Sequence, residues 1–276
     1  MITVTEKEQR QIKDTKSIPF GITPTDHMFI AEYVNGEWKN SRIVPFENLS
    51  MSPIALCLHY GQTVFEGMKA FRMADGTTNI FRADKHYSRF CKSLERMCMP
   101  TVPETLFMEA LKQTVQLDAG WIPEDKDGSL YIRPFMIASE QRLGVKISDE
   151  YLFMIVCTPA YQYYAKPLRV KVEEQYSRAA FGGTGFAKCG GNYGGAYYPA
   201  RKAQEDGYDP TKCSMSMERF RQFYDAIRLE RRGVHPRLVG DLFDYVDFTV
   251  GTAIAYASVC MMCVFTWCVG YLRTLR

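Results

Sequence analysis

Apolar positions recur with two different periods along the chain, and each period predicts its own kind of element. Residues 28–34 (MFIAEYV) run into Asn35-Gly36 and then Glu37-Trp38. That order predicts a hairpin, because Asn-Gly accepts the positive φ angles of a two-residue turn. Residues 64–71 and 78–81 predict paired strands around the turn Ala74-Asp75-Gly76. The spacing then becomes helical over 83–97, with Phe90, Leu94 and Met97 on one side, and a second helix is predicted over 104–117, begun after Pro103. Residues 129–138, 152–158 and 168–173 are dense in Tyr, Ile, Phe and Val and predict buried strands. Residues 159–167 read as the connection between two domains, and no internal repeat is present. The pattern is that of a mixed α+β protein.

Composition changes this picture only near the end of the chain. A hydrophobic fraction of 46% and a charged fraction of 24% over 276 residues exclude wholesale disorder and leave room for a large core. A net charge of +3, from 34 basic against 31 acidic residues, offers no electrostatic case for a nucleic-acid partner. Nine scattered cysteines and a polar start (MITVTEK) read as a reduced, cytoplasmic protein without a cleavable leader. Residues 214–276 depart from the rest: they hold eight Arg and no Lys or Asn, and contain an uncharged run of 25 residues over 248–272. Such a run is long enough to span a bilayer as a helix. An apolar anchor, a buried helix and a shifted reading frame all stand as readings of this tail, the frameshift ranked first.

The chemistry-bearing stretch is residues 181–198, FGGTGFAKCGGNYGGAYY, where seven of the chain's twenty glycines surround Lys188. No Gly-Lys-Ser/Thr follows a four-residue spacer, so the segment is not a Walker loop. A lysine held between glycine turns, with Tyr193 five residues on, suits a Schiff base with an aldehyde cofactor whose ring oxygen the phenol could meet. A flexible loop with a solvated lysine is an equal reading on spacing alone. His27, His59, His86 and His235 show no ligand spacing, so no metal is expected, and Cys260-x-x-Cys263 lies in the apolar run as a chance pairing.

AKCGGNY, together with LHYGQTVFEGMKAF (58–71), NIFRADKHYSRF (79–90) and YIRPF (131–135), resembles the branched-chain-amino-acid aminotransferases over roughly residues 20–210. The resemblance implies a two-domain fold-type IV enzyme that uses pyridoxal 5′-phosphate and assembles as a homodimer. It implies a small substrate-side domain over 1–157, a linker over 158–167 and the start of a cofactor-binding domain over 168–213, followed by the atypical tail. Lys188 matches the Schiff-base lysine and proton carrier, Tyr193 the tyrosine on the ring oxygen, and Arg89 the phosphate arginine. Tyr60, Phe65 and Tyr163 match the pocket for an aliphatic side chain. Tyr131 and Arg133 match the pair that holds the substrate carboxylate or an acidic side chain. The residues by themselves leave plainer readings open. Lys85, Arg89, Lys92 and Arg96 form a basic stripe at helical spacing, usually a solvated face, while Tyr60 and Phe65 could be core aromatics and Arg133 a structural ion pair.

The activity implied is transfer of the amino group of leucine, isoleucine or valine to 2-oxoglutarate. The partners are small molecules, with a membrane only if the run 248–272 acts as an anchor. D-amino-acid aminotransferase and aminodeoxychorismate lyase are rivals on the same fold, and a non-catalytic remnant is a rival of another class. The family's later segments, including the glutamate that meets the pyridine nitrogen, have no counterpart in residues 211–276. The chain as written is therefore expected to turn over poorly.

Overall fold

The computed structural model describes residues 2–8, 18–125, 128–161, 171, 173, 175–180 and 182–209. Residues 1–171 and 175–214 form one unit; 172–174 and 215–276 form a second, of which Glu173 alone is described. The predicted strand over 168–173, Tyr163 and the whole tail 214–276 thus lie outside the described residues, apart from Lys171 and Glu173.

Eight strands make one sheet: β1 (Thr3–Val4), β2 (His27–Val34), β3 (Glu37–Pro45), β4 (Thr63–Phe65), β5 (Met68–Arg72), β6 (Thr78–Ile80), β7 (Ser129–Ala138) and β8 (Tyr151–Ala160). Their order is β1-β3-β2-β8-β7-β5-β6, with β4 also paired to β7. All pairings are antiparallel except β1 with β3. The β2–β3 hairpin closes as its sequence predicts, with Asn35 and Gly36 at φ 56° and 80° and Val34 opposite Glu37. Strand β8 runs on through Pro159 and Ala160, which pair with Leu130 and Ser129.

One predicted strand is two. Residues 64–71 divide into β4 and β5 around Glu66-Gly67, although Phe65 opposite Phe135 and Met68 opposite Ile132 keep a single register. The cause lies across the ladder. Glu66 donates its N–H to the carbonyl of Pro134 at 2.7 Å, but Pro134 has no N–H to return. Gly67 is required at the gap, since a Cβ there would overlap the Tyr131 hydroxyl.

Helices α1 (Leu56–Tyr60), α2 (Ala83–Arg96), α3 (Glu104–Leu117) and α4 (Gly194–Glu205) complete the described fold. Helices α2 and α3 sit where their spacing predicts, and both meet one face of the sheet. Phe90 and Leu94 of α2 and Phe107, Leu111 and Val115 of α3 join Phe29 and Phe153 in one buried cluster. Phe107 stacks on Phe153 at 5.7 Å and stands 5.6 Å from Phe90. On the opposite face Met28, Ile30 and Met154 pack with Phe135 and Ile137. Because side chains alternate along a strand, Tyr131 and Arg133 of β7 share that second face with Phe135. Phe107 holds the helix layer to the sheet, so Phe107→Ala should cost about 3–5 kcal/mol of stability. Urea midpoints of the variant and the parent chain measure it, and a shift below about 1 kcal/mol would place the anchoring elsewhere.

Candidate active site

Lys188 is placed by its backbone. The segment Lys188-Cys189 lies along the outer edge of β4, where Phe65 donates its N–H to the Lys188 carbonyl at 3.0 Å and Val64 pairs with Cys189. The Lys188 N–H donates to Ser93 Oγ at 2.9 Å, and the Gly190 N–H to Thr63 Oγ1 at 3.2 Å. A Cβ at Gly190 would collide with that threonine hydroxyl, which accounts for one glycine of the cluster. Asn192, buried, staples the loop: its Nδ2 donates to the carbonyls of Thr184 and Ala187 at 2.8 and 2.7 Å, and its Oδ1 accepts from the Thr184 hydroxyl. The chain then turns through a 3-10 segment, Gly190–Tyr193, into α4. The lysine in this stretch is not solvated. Lys188 is only 8% exposed.

Phe65 is the hub of the side chains. The Lys188 Nζ lies 4.6 Å from its ring centroid and the Arg133 guanidinium carbon 4.5 Å, while the Tyr193 ring stands 5.4 Å away. Arg133 donates from Nη2 to the Tyr131 hydroxyl at 2.7 Å. Its Nε is buried with no hydrogen-bond partner among the described residues. Phe65 thus lies beside the lysine, the arginine and the tyrosine, and no ion pair of Arg133 is found among the described residues.

Arg89 reaches the same neighbourhood from α2. Ser93, one turn further along that helix, touches the Lys188 backbone, and Arg96 donates to the carbonyls of Gly182 and Gly183 at 3.1 and 3.4 Å. Positions 89, 93 and 96 share a helix face. The basic stripe therefore divides. Lys85 and Lys92 are exposed, whereas Arg89 donates from Nε and Nη2 to the two carboxylate oxygens of Glu66, both at 2.7 Å. Glu66 is fully buried and also accepts from His86 Nδ1 at 3.1 Å and from the Gly67 N–H at 3.2 Å. Burial alone would raise the Glu66 pKa; the hydrogen bonds from Arg89 and His86, with the charges of Arg89 and Lys188, outweigh it and lower it from 4.5 to about 2.

Not every expected residue joins this cluster. Tyr60, at the end of α1, is 43% exposed and donates its hydroxyl to the Leu143 carbonyl. Tyr163 lies outside the described residues. Glu66, Ser93, Thr63 and Asn192 were not singled out by sequence. Glu66 did carry a signal: in VFEGM it shares parity with Val64 and Met68, so an acid occupies a core position. Among the described residues no group of His, Cys, Asp and Glu could hold a metal ion, and no helix is long and apolar enough to cross a membrane.

No family model matches the chain. Individual proteins do. Over 201 residues, 71% of this chain, it is 48% identical to branched-chain-amino-acid transaminase 1 of Bacillus subtilis, covering 56% of that protein. It is 40% identical to the branched-chain-amino-acid aminotransferase of Mycolicibacterium smegmatis over 205 residues, 72% of this chain and 56% of the relative. The chain thus spans about half the length of the curated relatives it matches. Among solved structures, the T.th. branched-chain amino acid aminotransferase complexed with 4-methylvaleric acid aligns at a TM-score of 0.52 and 28% identity, covering 66% of this chain and 56% of that one. Over the matched stretch the chain is homologous to these aminotransferases and shares their fold-type IV architecture.

The Glu66 pair makes stability depend on acid. Its folded pKa lies below its unfolded value, so the stabilisation is present above about 4.5 and is lost as pH falls toward 2. Denaturant midpoints followed from pH 6 downward should fall through that window in the parent chain. The fall should be shallower in Glu66→Gln; equal slopes would show that the carboxylate does not take up a proton on unfolding.

Proposed function

We propose, on the premise that the matched region is homologous to the branched-chain-amino-acid aminotransferases, that this chain is built for pyridoxal-5′-phosphate-dependent transamination, with poor turnover expected of the chain as written. The amino group would pass from leucine, isoleucine or valine to 2-oxoglutarate. The observation that supports this best is the setting of Lys188: an amine 8% exposed, its backbone fixed on β4 and α2, its Nζ against Phe65 beside Tyr193. The T.th. relative has been solved with pyridoxamine 5′-phosphate, with 4-methylvaleric acid and with N-(5′-phosphopyridoxyl)-L-glutamate. Those three ligands represent the cofactor, a branched aliphatic acid and the glutamate side of the exchange, and the reading carries all three classes over to this chain.

The donor set fits the cofactor: one nearly buried amine, one phenol, one guanidinium on an adjoining helix face, and a second guanidinium with a buried Nε still without a protein partner among the described residues. When bound, the cofactor supplies an aldehyde that takes up the amino group and a ring that draws charge from the α-carbon. Lys188 would hold that aldehyde at Nζ, and its amine is the group that would move the proton at the substrate α-carbon. Tyr193 would meet the ring oxygen, and Arg89 would turn to the phosphate the guanidinium edge that Glu66 does not take. Arg133, oriented through Tyr131, takes the substrate carboxylate or the acidic side chain of glutamate. Phe65 would line the wall for the aliphatic group, a role that the resemblance alone extends to Tyr60 and Tyr163. Residues 1–157 serve as the substrate side and 168–213 begin the cofactor side, with a second copy of the chain as partner and the cytoplasm as location.

Borohydride reduction of the cofactor-loaded chain, followed by peptide mapping, should put the label on Lys188; a label elsewhere with Lys188 free defeats the assignment. Phe65→Ala should weaken leucine by about 1–3 kcal/mol more than glutamate, because only the aliphatic side chain loses a wall. Half-saturation in amino-donor titrations of cofactor absorbance reads the difference, and equal effects on both donors remove Phe65 from the specificity pocket.

A further inference from the structure

We propose that Glu66 is a positioning residue that fixes the plane of the Arg89 guanidinium for the cofactor phosphate without touching the ligand itself. The inference rests on the proposed phosphate role of Arg89. Glu66 is 0% exposed, so no ligand meets it. Its two oxygens take Nε and Nη2 of Arg89 at equal distances of 2.7 Å, the parallel fork that defines a guanidinium plane. The carboxylate is in turn held against rotation by His86 Nδ1 at 3.1 Å and the Gly67 N–H at 3.2 Å. Its backbone is tied by the N–H of Glu66 on the Pro134 carbonyl at 2.7 Å, across the gap that separates β4 from β5. The guanidinium face is thereby tied to the sheet through the carboxylate. An arginine long enough to adopt many rotamers is presented to an incoming anion in one.

Two effects of the carboxylate oppose each other, and that opposition makes the inference testable. As a charge, Glu66 neutralises Arg89 and lowers its attraction for an anion. As an anchor, it removes the cost of ordering a long side chain at the moment of binding. Arg89 has a side chain only 16% exposed, so without the carboxylate its donors would turn to other acceptors within the protein. Positioning therefore outweighs neutralisation. Removing the charge should weaken phosphate binding, the reverse of what charge alone dictates.

The test compares pyridoxal 5′-phosphate with pyridoxal, which keeps the aldehyde and ring but lacks the phosphate, by absorbance titration of the full chain. Glu66→Gln removes the charge; Glu66→Asp keeps the charge and shortens the arm, so the fork is lost. Each should weaken pyridoxal 5′-phosphate about tenfold and leave pyridoxal unchanged, with neither variant adding to the loss already caused by Arg89→Ala. Far-ultraviolet circular dichroism and thermal midpoints identify which of the two variants stays folded, and either alone decides the matter. Unchanged or tighter pyridoxal 5′-phosphate binding in a folded variant, with Arg89→Ala still costly, overturns the role of Glu66 and leaves that of Arg89 standing. A parent chain that does not distinguish the two aldehydes, or an Arg89→Ala variant that binds as the parent does, overturns the phosphate reading and this inference together.

Discussion

Pro134 lies in the middle of β7, and the N–H it lacks shapes the site around it. Opposite a residue that can accept but not donate, the neighbouring strand makes one hydrogen bond and then parts into β4 and β5. The register does not slip, so Phe65 and Met68 stay where an unbroken strand would put them. What the gap changes is the freedom of Glu66 and Gly67. Gly67 lets Tyr131 come close to the backbone, and Tyr131 receives Arg133. Glu66 faces the helix layer and takes Arg89, while Phe65, its neighbour, faces the other way toward Arg133. One strand interruption thus supplies contacts on both faces of the sheet.

The lysine segment solves a different problem, since its residues have little hydrophobic surface with which to hold themselves in place. Ala187 and Cys189 are buried, but the stretch is fixed mainly by hydrogen bonds to β4, to Ser93 and within the loop through Asn192. Each such bond is worth only about 1 kcal/mol net, yet a buried group left without its bond costs more, so the set acts together. Glycine at position 190 is what allows the backbone to come within reach of Thr63. The result is a nearly buried amine whose position is inherited from the sheet edge and one helix face. Placement on regular elements gives a reacting group better precision than a free loop could.

Much of this was legible in the residues. The Asn35-Gly36 hairpin, α2 and α3 follow from local turn chemistry and periodicity, and the structure reproduces them. The division of β4 from β5 was not, because its cause is a proline 68 positions away from Glu66 that matters only once the strands are paired. Helix α4 was hidden by Gly194 and Gly195 at its start and Pro199 within it, all poor helix formers on propensity alone. The basic stripe misleads for a related reason. Spacing puts Lys85, Arg89, Lys92 and Arg96 along one helix, but only tertiary contact separates the two arginines that face protein from the two lysines that face solvent. Glu66 was readable in principle, as an acid at a core-parity position, and such residues ask for a buried partner before the partner is known.

Charge explains why placement matters more here than composition. Over the whole chain basic and acidic residues nearly cancel, at 34 against 31, so no general field draws anions to it. Around Phe65 and α2 the balance is local: Lys188 and Arg133 meet at the Phe65 ring, and Arg89 pairs with the carboxylate of Glu66. The proposed cofactor carries a phosphate and the proposed substrates carry carboxylates, so each would need a cation at its own end. Bringing three cations into one partly dry site costs desolvation and mutual repulsion, which the fold offsets unevenly. Arg89 has a carboxylate, Arg133 has the rings of Phe65 and Tyr131 and the hydroxyl of the latter, and Lys188 has the ring of Phe65. Aromatic faces stabilise a cation without neutralising it. Lys188 and Arg133 can therefore lie against the same ring, whereas Arg89 is held by a two-pronged carboxylate that fixes its orientation.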